Sequence, residues 1–362
     1  MPALKRTEFQ RNLDVVARYK AFYASPRPGL MARVAIPAQG LRLPSPMPVG
    51  AIDWRDPASC RAYARSSLEF MRAYYSQIPR LDDDDLPKIQ NLAGTGAIAA
   101  AYVKDAQLNQ EETTNYLVPP VTDWSRDVGR IGFDPQNPWY RAQMTMLQAL
   151  VEEWDGSFGI VPFVHFDPLD LCNQLRGNEL FLDYYDHPAE LRDLLETATR
   201  CVLELEAHMR ANFLPGYGFE GCLIGCWTPG TYLSCDAGDL GSAAALREWG
   251  LPYTQRIVQA WGGAFLHHHE LGIHQIPTWS ECKGLTLQFP NRDPNTPHLS
   301  EVLTADQLAT TLRVPLAFIA PYRDFDARAS FWATGKCVVT VVCDDASQAA
   351  DVVRRTARLR NY

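Results

Sequence analysis

The chain has 362 residues, 46% of them hydrophobic, and a formal net charge of −8. That is enough apolar material for one large core or two modest ones, and the lack of a long basic block argues against a nucleic-acid partner. The nine cysteines are odd in number and scattered, with no CxxC pair, a usage that fits reduced thiols in a cytoplasm better than a disulfide framework.

The N-terminal stretch MPALKRTEFQRNLDVVARY is polar, helical in pattern and without the apolar region of a signal peptide. No apolar run reaches the ~20 residues that span a bilayer, so the expectation is a soluble, cytoplasmic protein with no membrane partner. Thr7–Phe22 reads as an amphipathic helix ended by SPRPG. Ser25–Val49 is rich in proline and is expected to be an arm, folded over the rest of the chain or touching a second subunit in a homodimer. Asp56–Gln77 reads as a helix with an aspartate at its start. The acidic run Asp82–Asp85 reads as a solvated loop, as charge runs usually are.

From Lys88 onward short apolar runs alternate with helical patterns. The strands predicted are Ile89–Leu92, Tyr116–Val121, Gly159–Phe166, Cys222–Trp227, Ala264–His269, Leu285–Phe289, Leu316–Ala320 and Val338–Cys343. Helices are predicted over Asn137–Glu153, Asp186–Phe213, Ser242–Trp261, Thr304–Leu312 and Ala346–Leu359. Strands alternating with helices imply an α/β fold with a parallel sheet. About eight such units over ~270 residues suit a (β/α)8 TIM-type barrel. The expected organisation is an N-terminal helical extension with a proline-rich arm over residues 1–85 and the barrel over 86–362. An open doubly wound sheet is the alternative, weakened by the absence of a GxGxxG after an early strand. No P-loop, GxSxG or HExxH appears, and Gly94-Thr95-Gly96 is only a short turn, so no nucleotide cofactor is expected.

In a barrel the chemistry sits at the C-terminal ends of the strands. Asp123-Trp124, Phe163 to Asp167, Trp227-Thr228 with the Ser234–Asp239 loop, and His267–Glu270 all fall at predicted strand ends. Four of the eight histidines lie within the eight positions from His267 to His274. Side chains alternate along a strand, so His267 and His269 share a face and His268 points the other way. Two imidazoles on one face can hold a metal or a substrate anion. Asp236 can orient a substrate N–H or take up a proton. Asp167 and Arg176 are candidates to bind substrate, although an Asp before Pro often caps a helix. Asp123, Trp227, Tyr232, Ser234 and His274 complete the substrate-binding candidates, with Trp124 and Trp279 as further aromatic walls.

These residues resemble the uroporphyrinogen decarboxylase superfamily, which includes the decarboxylase of haem synthesis and zinc-dependent methyltransferases that act on methyl-cobalamin proteins. The resemblance covers roughly Leu86 to Arg358. It rests on Phe166-Asp167-Pro168-Leu169-Asp170, Leu175-Arg176-Gly177-Asn178-Glu179-Leu180-Phe181 and Tyr185-Asp186-His187-Pro188 in order. Ser234 to Gly238, Glu248 to Tyr253 and Ala264 to Gly272 follow them. The decarboxylase's N-terminal Arg-Gln-Ala-Gly-Arg motif has no counterpart; Arg27 and Arg33 stand in a different context. In the methyltransferases zinc is bound by a His, a Cys two residues on and a distant Cys. Here His267 matches the His, His269 takes the place of the Cys, and Cys337 and Cys343 look like strand residues. The resemblance therefore implies a zinc site of His267 and His269, completed by His274 or Glu281. It implies a methyltransferase acting on a corrinoid-bound or small-molecule methyl group, with a corrinoid protein as partner and a metal lowering the acceptor's pKa. The alternatives are a metal-free decarboxylase of a carboxylated aromatic or heterocyclic acid, and a non-catalytic barrel that binds a corrinoid or porphyrin.

Overall fold

The computed structural model describes residues 3–90, 93–161, 164–212, 226–291 and 293–360. Its strands in chain order are β1 Gly29–Ala35, β2 Lys88–Gln90, β3 Leu108–Gln110, β4 Asn115–Leu117, β5 Gly159–Val161, β6 His165–Phe166, β7 Thr231–Ser234, β8 Ala264–His269, β9 Leu285–Asn291, β10 Leu316–Pro321 and β11 Lys336–Val342. Seven of these form one sheet in the order β1-β11-β10-β9-β8-β7-β6, parallel throughout. A second parallel pair joins β2 to β5, and β3 with β4 makes a small antiparallel hairpin. The fold is α/β.

The strands owe their place to near-continuous apolar runs, as expected where helices cover a parallel sheet. β10 (LAFIAP) and β11 (KCVVTVV) are buried along most of their length. The long helix Pro188–Asn212 turns Leu191, Leu194, Leu195, Ala198, Val202 and Leu205 inward at helical spacing. Helix starts are fixed by side-chain caps at Asp56, Asn137, Ser242 and Asp345, and by a full capping box at Thr304 and Gln307. The described cysteines are all buried free thiols. Among the described residues no helix is long and apolar enough to cross a membrane.

Several sequence expectations are corrected. The Ser25–Val49 segment contains β1, a strand of the main sheet bonded to β11 from Gly29↔Lys336 to Ala35↔Val342. A boundary at residue 85 therefore cuts a strand away from its sheet. Of the acidic run expected to be solvated, only Asp82 is exposed. Asp83, Asp84 and Asp85 are buried. Asp83 pairs with Arg11 at 2.8 Å, Asp84 with Arg18 at 2.9 Å and Arg360 at 2.6 Å, and Asp85 with Arg33 at 2.8 Å. Asp83 and Asp84 also accept the β1 backbone N–H groups of Val34 and Ala32. Each buried carboxyl meets a guanidinium and a backbone or hydroxyl donor, which offsets the cost of burial, although burial and the neighbouring Asp85 push Asp83 up to about 7. Tyr116–Val121 joins the hairpin, not the sheet. Most of the predicted strand Cys222–Trp227 lies outside the described residues, and the sheet strand there is β7, slightly later. Ser242–Trp261 is two helices, Ala243–Trp249 and Leu251–Trp261, broken where Gly250 precedes Leu251-Pro252.

Candidate metal centre

All strands of the main sheet run the same way, so their C-terminal ends share one edge. Register then decides which side chains meet there. Ser234 of β7 pairs with His267 of β8. The pairing continues one residue further, with Cys235 N donating to His267 O at 3.0 Å. Asp236 follows as the first residue of the short helix Asp236–Asp239, beside the histidines. A register shift in the β8–β9 pairing lies between His267 and His269. Their rings stand edge to face with centroids 5.3 Å apart.

The result is a cluster of Asp236, His267 and His269 whose ligand-type atoms all lie within 4.8 Å of one another. His267 Nε2 is 3.7 Å from Asp236 Oδ1, and His269 Nε2 is 3.7 Å from Asp236 Oδ2. The other ring nitrogens face oxygens. His267 Nδ1 meets Gln288 Oε1 at 3.3 Å and His269 Nδ1 meets Asp293 Oδ1 at 2.8 Å. Both oxygens only accept, so each Nδ1 carries the proton and donates. In the neutral rings the Nε2 lone pairs then point toward a carboxylate that also only accepts. Two imidazole nitrogens and a carboxylate converging without a donor between them favour a shared cation. Ligand atoms around zinc are typically about 3.4 Å apart for bonds near 2 Å at a tetrahedral angle, so the observed spacing needs only a small closure.

Charge is distributed unevenly over the pair. His267 is 14% exposed, and burial holds its pKa below the ordinary value, against the pull of Asp236. Burial acts the same way on His269, but the Asp293 hydrogen bond and the nearby Asp236 and Asp239 carboxylates outweigh it and raise its pKa. Asp293 is partly buried, which disfavours its charge, yet the bonds from His269 and Leu271 N hold its pKa down. Asp236 is 50% exposed and leaves the cluster open to solvent on its side.

Behind the cluster, Asp239 fixes the strand end. Its Oδ1 accepts from His268 Nδ1 and its Oδ2 from His269 N, both at 2.8 Å. Gly272 makes room for it: a Cβ there would collide with the Asp239 carboxylate. Asp170 is also buried here, accepting from Ala237 N at 3.1 Å. Burial, followed by the charge of Asp236, pushes its carboxyl well up.

Of the other sequence candidates, Tyr232 and Ser234 reach the site; the Tyr232 ring lies 6.4 Å from that of His267. The rest do not join it. Asp167 is fully buried, capping the next helix through Leu169 N at 3.0 Å and bonded by Thr254 Oγ1 at 2.5 Å. Arg176 is held by Asp183 at 2.7 Å and stacks over Trp124 at 5.0 Å. Asp123 caps the short helix Trp124–Asp127. Trp227 precedes β7 and packs against Tyr23 with Lys20 over its ring. His274 is exposed and turns its nitrogens to the carbonyls of Leu271 and Gly241. Glu281 pairs with Arg247 on the surface. Neither of these last two joins the metal cluster; its third member is Asp236. Asp293 and Gln288 were missed, although both lie on or just after β9, the neighbour of β8, where the strand-end rule would have pointed. No family model matches the chain and no curated protein matches it.

Proposed function

We propose that this chain is a metal-dependent enzyme on a (β/α)8 barrel, with a divalent cation, zinc by the donor set, held by Asp236, His267 and His269. One observation carries the reading: both Nε2 atoms and both Asp236 oxygens converge while Gln288 and Asp293 hold the Nδ1 protons away. Barrel closure is supported by the sheet edges. β6 follows β5 within a few residues of chain, β5 pairs with β2, and Asp84 N, just before β2, donates to Ala32 O of β1 at 3.0 Å. A ring of eight would then comprise β1, β2, β5 with β6, β7, β8, β9, β10 and β11.

Among metal-assisted reactions, the sequence resemblance favours methyl transfer from a corrinoid-bound or small-molecule donor, with a corrinoid protein as partner. A bound cation would supply Lewis-acid chemistry, lowering the pKa of the acceptor. The chain's own residues orient the site. Asp293 and Gln288 fix the ring planes, Asp239 fixes the strand end, and Tyr232 walls one side. Elemental analysis of the purified protein tests this: about one zinc per chain, lost in a His267→Ala/His269→Ala double variant. Unchanged metal content in that variant sinks the assignment.

A second reading is favoured by the opposed pKa shifts of the two histidines. Burial favours the neutral form of His267 and the carboxylates around His269 favour its protonated form. That arrangement suits an acid–base pair for a metal-free decarboxylation of a carboxylated ring, with Asp236 orienting the substrate. Activity on such acids by protein that takes up no metal after reconstitution would select it.

A further inference from the structure

A cleft of about 890 Å³ opens among the loops that follow β1 and β2, and it shares no residue with the Asp236 cluster. That volume suits a small organic ligand. Trp54, Trp139 and Phe133 line it, each half-buried. The two tryptophans pack with ring centroids 5.3 Å apart, and Phe133 stands edge-on to Tyr140 at 5.1 Å. The aromatic wall is therefore braced from behind and keeps partly open surface toward the cleft.

The rim carries cations. Arg55 and Lys104 are exposed and lack an ion-pair partner among the described residues, whereas Arg130 lies 4.0 Å from Asp127. Of the rim carboxylates, Asp53 and Asp134 are turned onto their own loops, accepting from Arg55 N at 3.0 Å and Gln136 N at 2.8 Å. Asp105 remains open beside Lys104. Short carboxylates tied to their backbone cannot follow a ligand, while the long Arg55 and Lys104 side chains can reach across the opening.

We infer that this cleft binds a flat aromatic anion, its ring against Trp54 and Trp139 and its carboxylate or phosphate against Arg55 and Lys104. Ring stacking supplies the shape selection, and the guanidinium and ammonium supply charge-assisted hydrogen bonds. The site is separate from the metal cluster and does not depend on it.

Calorimetric titration of the full chain tests this with isophthalate and phenyl phosphate as probes, and cyclohexanecarboxylate and benzyl alcohol as controls. The expected result is binding of at least one aromatic anion, with each control weaker by about tenfold or more. Preference between the two anions identifies the natural group as carboxylate or phosphate. An Arg55→Gln/Lys104→Gln variant should weaken that anion about tenfold and leave thermal midpoint and metal content unchanged. Trp139→Leu should weaken it as well, with the chain still folded by circular dichroism. No binding of either anion at millimolar concentration overturns the inference. So does equal affinity in the Arg55/Lys104 variant, or binding of cyclohexanecarboxylate as tight as isophthalate. A chain that binds no zinc but passes these tests refutes the metal reading alone.

Discussion

Replacing Asp293 by Asn separates the second layer of the proposed metal site from the ligands themselves. In the native chain one carboxylate oxygen accepts from His269 Nδ1 at 2.8 Å and the other from Leu271 N at 2.9 Å. Asparagine keeps the shape but offers one accepting oxygen and one NH2, so one of the two donors loses its partner. If the backbone bond is retained, the amide NH2 faces His269 Nδ1 and the ring is pressed toward the other tautomer, with its proton on Nε2. Second-layer changes of this kind lower metal affinity by about 10- to 100-fold, which is about 1.4–2.7 kcal/mol. Losing the charge-assisted bond also costs about 1–3 kcal/mol of folding stability. The assay is zinc competition against a chromophoric chelator at fixed pH, paired with urea melts of the metal-free protein. An Asp293→Asn chain that binds zinc as tightly as the native one, while remaining folded, refutes the idea that Asp293 sets the tautomer.

Asp167 provides a pH test away from the cluster. Burial raises its pKa from the ordinary 3.8 to about 6, so its contribution to stability is fully present below 3.8 and is lost as pH rises through about 6. A shift of about two pH units corresponds to about 3 kcal/mol. Asp167→Asn, which preserves the helix cap, should flatten the stability profile between those limits, and an unchanged slope in urea melts would count against it. Gly272→Ala should destabilise the protein by about 1–3 kcal/mol, because the new methyl meets Asp239, and should weaken zinc binding through His269. Native-like melting and zinc affinity would show that the strand end is not held this way. Arg176→Ala should cost about 3–5 kcal/mol by leaving the buried Asp183 unpaired, yet leave zinc affinity untouched. A large loss of affinity without a loss of stability would restore Arg176 to the site.

The histidine pair and its strand were legible in the sequence because Ala264–His269 is the end of an apolar run closed by three histidines, and strand alternation places His267 and His269 on one face. The parallel sheet was legible from the apolar runs Leu285–Phe289, Leu316–Ala320 and Val338–Cys343. β1 was hidden: prolines on either side of GLMARVA masked a strand that is completed only by a partner far away in sequence. The acidic run misled because its arginine partners lie near positions 11, 18, 33 and 360, and local composition carries no trace of them. His274 and Glu281 were chosen by proximity in sequence, whereas the cluster is assembled across β7 and β8. Asp236 was picked as a proton carrier, not a ligand, because only register shows that its carboxylate faces both Nε2 atoms.

The pairing of β1 with β11 has a consequence for how the chain is made. β1 emerges early, but the strand that covers its edge lies about 300 residues later. At a ribosomal rate of about 5–20 residues per second, that edge waits roughly 15–60 seconds with open N–H and C=O groups, the template on which unrelated strands add. Asp83 and Asp84, which bond to Val34 N and Ala32 N, are synthesised far sooner, but they cover the opposite edge of β1 and leave the β11-facing groups open. The buried acids can therefore shield one edge of the nascent strand early, while the other edge is closed only when β11 arrives.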